Sequence, residues 1–244
     1  MTSPPDRLPL GTKAYGSIGH LPGSRTGVGD HHFNPGQAAL FTTTQRPGHE
    51  ILVQEKLDGS CVCAARLGDQ ILALGRDGAL ASRSPNEGRQ LWARWVHDHR
   101  ERFLAVLSDG ERLVGEWLAQ VHGTRYQLPH EPFVPFDLMR GPDRTPWDAL
   151  LTRLTPGEFT PPGLLHRGPP LPPEEALRLL GTSGLHGALD APEGAVWRLE
   201  RTEKKKPRVL LVAKYVRPGK IDGAFLPEIT GLPALWNWHP DGAR

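Results

Sequence analysis

Lys56 stands in the tetrapeptide Lys56-Leu57-Asp58-Gly59, directly after the apolar run Ile51-Leu52-Val53-Gln54-Glu55. A lysine held at a strand end beside a carboxylate and a flexible glycine can act as a nucleophile. It must be deprotonated to attack, so its ordinary pKa of about 10.4 has to be lowered by burial or neighbouring cations. Alone, the tetrapeptide also reads as a strand running into a β-turn. Further motifs follow it. Arg76 lies in Leu74-Gly75-Arg76-Asp77-Gly78, Glu116 in Gly115-Glu116-Trp117 and Phe136 in Phe136-Asp137-Leu138. Glu193-Gly194 opens a strand, and Lys214 lies deep in Leu210-Leu211-Val212-Ala213-Lys214-Tyr215-Val216. A lysine in so apolar a strand is costly unless it meets an anion. Together these supply a nucleophile, two carboxylates, an aromatic plate, an arginine and a second lysine. Attack on a nucleotide's α-phosphate needs such a kit. Cations and metal neutralise the phosphoryl oxygens, and in-line positioning expels pyrophosphate.

The spacings are sixty residues from Lys56 to Glu116, twenty on to Phe136, and twenty-one from Glu193 to Lys214. In order and spacing the chain resembles the covalent nucleotidyltransferase superfamily of polynucleotide ligases and mRNA capping enzymes. Within it, the chain is most similar to the ATP-dependent RNA ligases of the phage and kinetoplastid-editing type. The resemblance runs from about Gln54 to Val216. It implies that Lys56 becomes covalently AMP-bound, with Glu55 near the adenine and Arg76 at the nucleotide and RNA site. It further implies Glu116 near the ribose and metal, Phe136 stacked on the adenine, Glu193 associated with metal, and Lys214 on the α-phosphate. Asp58 matches a position that varies among these ligases and is usual in the wider superfamily. Arg83 competes with Arg76, and the spacing favours Arg76.

Two departures concern later contacts. The final motif of relatives is usually Lys-x-Lys, but Val216 holds the second position here. Arg217 is one residue on, where a strand aims it to the opposite face. Cys61 stands where relatives often carry Asn or Arg.

The elements that must position these residues can be read from periodicity. Strands are expected at 51–56, 61–67 and 70–75, the last two joined by the Gly68-Asp69 turn. A helix is expected over 87–107, capped by Asn86 and stopped at Asp109-Gly110, with Leu91, Trp95 or Val96, Phe103 and Leu107 buried. Strands follow near 112–120 and 133–139, and helical pieces at 146–154 and 173–180. An antiparallel pair, 195–200 with 208–216, turns at the basic Lys204-Lys205-Lys206-Pro207. Residues 1–50, rich in Gly and Pro, read as irregular structure around a few short strands.

With 244 residues, 38% of them hydrophobic, 25 prolines and 28 glycines, the chain reads as a loop-rich α+β protein. The expected fold is a nucleotidyltransferase domain of antiparallel sheets flanked by helices, with an ATP pocket between them. We read residues 1–244 as one such domain, made of an N-terminal segment (1–50), a motif-bearing core (51–217) and a C-terminal tail (218–244). No separate oligonucleotide-binding (OB) domain is expected. No segment approaches a membrane span, and the N-terminus lacks a basic-then-apolar signal, so a cytoplasmic location is expected. Cys61 and Cys63, one residue apart, are geometrically unsuited to a disulfide and share a strand face.

A net charge of +2 excludes a histone-like partner field. Arg198, Arg201, Lys204, Lys205, Lys206 and Arg208 form either a positive lobe for phosphates or a solvated hairpin tip. Arg25, in Gly23-Ser24-Arg25, suits an oxyanion or a 5′-phosphate, or sits in a plain turn. His31-His32 and His97-Asp98-His99 lack the partner set of a zinc site.

The implied activity is ATP-dependent RNA ligation, sealing 5′-phosphate and 3′-hydroxyl RNA ends with ATP and Mg²⁺ or Mn²⁺. The alternatives are a minimal DNA ligase, a capping-type nucleotidyltransferase, or a non-catalytic nucleotide- or RNA-binding module. The last would have no need of Lys56 and Lys214 together.

Overall fold

The computed structural model describes residues 8–240 and Gly242. Along the chain run β1 (Gly19–His20), α1 (Pro35–Thr42), β2 (His49–Lys56), β3 (Ser60–Leu67), β4 (Gln70–Gly75), α2 (Glu87–Asp98), α3 (Arg100–Val106) and β5 (Glu111–Trp117). They are followed by β6 (Phe133–Arg140), β7 (Asp143–Arg144), α4 (Trp147–Leu154), β8 (Leu164–Gly168), α5 (Pro173–Leu180), β9 (Gly194–Glu203), β10 (Lys206–Val216) and α6 (Pro227–Thr230). The fold is α+β, with two antiparallel-rich sheets flanked by helices. The chain forms two compact units, and each holds one sheet.

The first unit takes the chain up to Gly16, Ser60–Trp117 and Phe133–Pro161. Its sheet runs β4-β3-β5-β6-β7, antiparallel throughout. Because side chains alternate along a strand, paired residues share a face. One face presents Val62, Ala64, Leu113 and Trp117 to the helical layer. There Trp92 of α2 packs on Phe133 and Trp117 at 4.6 and 5.3 Å between ring centroids, and Phe103 of α3 lies 5.9 Å from Phe133. The indole of Trp117 donates to the Gly88 carbonyl at 3.0 Å, so its one polar atom is satisfied inside the cluster. The opposite face carries Cys61, Cys63, Arg112, Val114 and Glu116. Cys61 and Cys63 lie on the same face, as expected.

The second unit takes Ser17–Gly59, Leu118–Pro132 and the chain from Pro162 onward. Its sheet runs β1-β10-β9-β2-β8; only β1 pairs in parallel. Ile51, Val53, Ala195, Trp197, Leu199 and Ala213 line one face and join Phe41 of α1 and Ala176 of α5 in a core. The other face is formed by Leu52, Gln54 and Lys56 on β2, Gly194, Val196 and Arg198 on β9, and Val212, Lys214 and Val216 on β10.

The expected strands and the helices of 146–154 and 173–180 form within a few residues of their predicted bounds. Three differences have local causes. The expected helix over 87–107 splits at His99, whose backbone (φ −106°, ψ 20°) leaves the helical range while its N–H binds the Trp95 carbonyl. The strand expected over 112–120 stops at Trp117; Val121 then donates to the Leu235 carbonyl at 2.9 Å. Within residues 1–50, α1 forms where irregular structure was expected. Asn34 caps it by accepting the Gln37 N–H at 2.9 Å, and Pro35 starts it. No helix among the described residues is long and apolar enough to cross a membrane.

The β9–β10 hairpin turns on Lys204 and Lys205, both with positive φ (49° and 64°). Two-residue hairpin turns of this hand favour Asn-Gly, because other residues carry a Cβ penalty there. Replacing Lys204→Asn together with Lys205→Gly should therefore raise unfolding stability by about 1 kcal/mol in urea titrations. A drop in stability would mean that the lysines stabilise the turn by contacts of their own.

Candidate active site

Lys56 is the last residue of β2, and its register partner on β9 is Gly194. That pairing brings the start of β9 beside the lysine, and Nζ of Lys56 lies 2.7 Å from Oε2 of Glu193. The Lys56 side chain is 20% exposed and that of Glu193 only 9%, so solvent screens the pair weakly. Burial raises the Glu193 carboxyl above the usual carboxylate range; Lys56 pulls against that shift, and Asp58 adds to it. Gly194 is demanded by close packing, since a Cβ there would collide with the carbonyl oxygen of Tyr215 on β10. Lys56, Gly194 and Val216 thus form one row across three strands, and the middle member has no side chain.

Lys214 pairs with Val196, which pairs with Gln54 on its other side. Lys214 therefore projects from the same face as Lys56, one row of paired residues away. The anion that its apolar strand demanded is Asp30: Nζ to Oδ1 is 3.2 Å. Asp30 also lies 3.0 Å from Nε2 of the buried His20, whose Nδ1 meets Oγ of Ser24 at 2.6 Å. Ser24 Oγ accepts the Val216 N–H, which fastens the loop after β1 to β10. Burial would raise the Asp30 carboxyl, but the Gly27 N–H, Lys214 and His20 outweigh it and bring it down to about 2.

Asp58 is held tightly. Its carboxylate accepts the Gly123 N–H and the Thr124 hydroxyl, both at 3.1 Å, and pairs with Lys220 at 2.7 Å. Glu55 projects to the core face, away from Lys56. It is 2% exposed. Oε2 accepts the Leu185 N–H at 2.5 Å, and Oε1 has no hydrogen-bond partner. Arg25 is engaged by Asp222 at 2.6 Å.

In the first unit, Glu116 is half-buried on β5, level with Cys61 and Val134. Phe136 occupies a β-bulge: Asp137 pairs with Val114 and Pro135 with Gly115, leaving Phe136 as the extra residue. A bulge re-aims side chains. Here it lets neighbours in sequence meet one partner, because Tyr15 packs edge-on to Phe136 (5.4 Å) and donates its hydroxyl to Asp137 at 2.7 Å. Arg144 pairs with the same Asp137 oxygen at 3.0 Å and lies over the Tyr15 ring. Arg76 is exposed at the end of β4, with its guanidinium 3.4 Å from the Gly16 carbonyl. Arg83 instead lines a cavity of about 340 Å³ with Arg89, Asp77, Ser84 and Leu80.

The second unit thus brings Lys56, Asp58, Glu193 and Lys214 to one end of its sheet, while Arg76, Glu116 and Phe136 belong to the first unit. Sequence reasoning assigned no role to Asp30, His20, Tyr15, Asp137, Arg144 or Lys220. For Asp30 a signal existed in the apolar setting of Lys214. Tyr15 and Lys220 meet partners far away in sequence, which no local spacing could show.

The chain belongs to the RNA ligase family, whose model matches residues 49–216. Among solved structures it is similar to an archaeal ATP-dependent RNA ligase (19% identity, TM-score 0.41, covering 69% of this chain and 42% of that one). It is also similar to a Naegleria gruberi RNA ligase mutant solved with ATP and Mn (17%, TM-score 0.47, 70% and 50%) and to the ligase from that organism with PPi (15%, 0.48, 89% and 61%). The chain spans half or less of the length of the first two. No curated protein matches it.

Burial pushes the Glu55 carboxyl up to about 7 against the pull of the Leu185 N–H. Its folded pKa exceeds the ordinary value of 4.5, so the folded state holds the proton longer. The resulting stability is present at low pH and is lost as pH rises from about 4.5 through 7. Between pH 5 and pH 8, wild type should lose about 2–3 kcal/mol of unfolding free energy that Glu55→Gln does not lose. Parallel pH curves in urea titrations would place this carboxyl in a solvated setting.

Proposed function

We propose that this chain is an ATP-dependent RNA ligase that acts through a lysyl-AMP intermediate on Lys56. The observation that carries the reading is the Lys56–Glu193 pair, at 2.7 Å on the sheet face that also bears Lys214, in a chain of this family. We read residues 1–244 as one nucleotidyltransferase domain in the cytoplasm, with the motif-bearing core at 51–217.

Lys56 Nζ attacks the α-phosphorus of ATP. A P–N bond forms, the bond to the β-phosphate oxygen breaks, pyrophosphate leaves, and the lysine gives up a proton. A 5′-phosphate oxygen of RNA next displaces the lysine, giving an adenylylated end. A 3′-hydroxyl then attacks the 5′-phosphorus, joining the strands and releasing AMP. Lys214 is the cation for the α-phosphate oxygens; ATP binding requires it to exchange the Asp30 carboxylate for phosphate. Phe136 is the stacking plate, braced by Tyr15. Glu55, on the opposite face of β2 from Lys56, is proposed as the adenine contact through its unpartnered Oε1. Asp58 anchors the turn after the nucleophile, and Arg76 takes nucleotide or RNA phosphate.

Among the described residues, no three His, Cys, Asp or Glu side chains converge on a point that would hold a metal ion. A hard divalent ion that keeps its waters and shares phosphate oxygens fits one or two carboxylates, which we assign to Glu193 and Glu116. Bound there, magnesium or manganese would supply positive charge for the phosphoryl oxygens, and Glu193 would give up the Lys56 ammonium to hold it.

Incubation with α-labelled ATP should yield an acid-resistant, hydroxylamine-labile protein adduct, absent in Lys56→Ala; a labelled Lys56→Ala protein removes the lysine from its role. GTP should label poorly, and Phe136→Ala should weaken adduct formation by about 1–3 kcal/mol. Labelling of that variant at the wild-type level would return Phe136 to ordinary core.

Joining should require a 5′-phosphate and a ribonucleotide at the 3′-hydroxyl end, and it should be much more salt-sensitive than self-adenylylation. The exposed basic stretch from Arg201 to Arg208 supports that footprint. Equal sealing of all-DNA nicks would instead favour a minimal DNA ligase.

A further inference from the structure

Val216 stands where a second lysine of the final motif is expected, in the row of Gly194 and Lys56, and it is 3% exposed. A different cation is built into the neighbourhood of the nucleophile. Lys220, four residues beyond β10, has a side chain only 6% exposed. Its Nζ lies 2.7 Å from Asp58 Oδ2 and 2.5 Å from the Gly123 carbonyl, and it donates to the Thr124 hydroxyl. An ammonium has three donors, and these three acceptors use all of them.

Asp58 is equally committed. Besides Lys220 it accepts from Gly123 N and Thr124 Oγ1, and its own N–H donates to the Tyr126 hydroxyl at 3.1 Å. The clasp is close-packed: a Cβ on Gly123 would lie 2.6 Å from the Ile221 carbonyl oxygen and 2.9 Å from Asp58 Oδ2. Residue 58, two beyond the nucleophile, is therefore fixed by side chain and backbone to two distant segments of the chain. Both ions are shielded, and removing one partner of such a pair strands a charge in a poorly solvated place. Stranded here, the Asp58 carboxylate would become a second anion competing with Glu193 for the Lys56 ammonium.

We propose that Lys220 is a positioning residue for self-adenylylation: by engaging Asp58 it fixes the Leu57–Gly59 turn and keeps the Asp58 carboxylate from competing with Glu193 for Lys56. The inference rests on the reading of Lys56 as the nucleophile. Lys220 touches neither nucleotide nor RNA; it acts through Asp58.

The test is single-turnover adduct formation at varied ATP, with the full chain and rates expressed per folded molecule. Five proteins are compared: wild type, Lys220→Met, Lys220→Arg, Asp58→Asn and the double variant Lys220→Met/Asp58→Asn. Lys220→Met should slow the limiting rate by about 10- to 100-fold, the scale of losing nucleophile alignment, while half-saturating ATP moves less than about threefold. Lys220→Arg should recover part of the rate. The double variant, which strands no charge, should be faster than either neutral single variant, a coupling that independent sites do not give. Should Lys220→Met fail to fold, Asp58→Asn against the double variant decides the same point.

Folded Lys220→Met labelling at the wild-type rate would overturn the proposal, and so would a double variant as slow as the product of its singles. An unlabelled wild type, by contrast, would count against the lysyl-AMP reading itself.

Discussion

A charged lysine and a carboxylate meet at 2.7 Å in a place that water reaches poorly, and much of the second unit is arranged so that they can. Taking two ions out of water costs several kcal/mol each, and close mutual approach must offset it. The approach is set by the β2–β9 register, which puts Gly194 opposite Lys56. The register is fixed in turn by the face that buries Ile51, Val53, Trp197 and Leu199, because a one-residue slip would turn every one of them to the other side. Hydrophobic burial on one face of the sheet thus aims the ion pair on the other.

Each unit repeats that division of labour. In the first, the tryptophans and phenylalanines of α2, α3, β5 and β6 clamp one face, and Glu116 projects from the other. The bulge at Phe136 breaks the alternation in the first unit's sheet, and it yields a ring and a carboxylate side by side against Tyr15. Tyr15 and Asp137 are buried and Arg144 is half-buried, each meeting another, so Phe136 stands on a stiff support.

Much of this was legible in the sequence. Short apolar runs bounded by turn residues marked β2, β3, β4 and β10, and the apolar neighbours of Lys214 announced that an anion must come to it. Asn86 and the spacing of Leu91, Trp95 and Phe103 marked the helical region, though nothing in that pattern signalled the break at His99. Helix α1 escaped because it buries only Ala38 and Phe41, too few positions to show a period, although its Asn34-Pro35 start was in plain view. The ionic contacts were invisible for a different reason. Glu193 lies 137 residues from Lys56, and Lys220 lies far beyond Asp58, so no local spacing ties either pair. Motif order could say that Glu193 and Lys56 serve one reaction; only the register says that they touch. The bulge was equally hidden, because a single extra residue leaves no mark on composition.

The interleaving of the two units has a consequence for how the protein comes into being. The chain passes between them at Gly16, Gly59, Trp117, Pro132 and Pro161. The first unit has all its strands once Pro161 has left the ribosome, but β2 at that moment has neither of its neighbours, since β8 begins at Leu164 and β9 at Gly194. At about 5–20 residues per second, the stretch from Lys56 to β9 takes on the order of ten seconds to synthesise. Until β8 emerges that apolar strand has two open edges, and until β9 emerges it keeps one, and such edges are the templates on which nascent chains misassemble. The segment that carries Lys56 is thus among the last to be protected during biosynthesis.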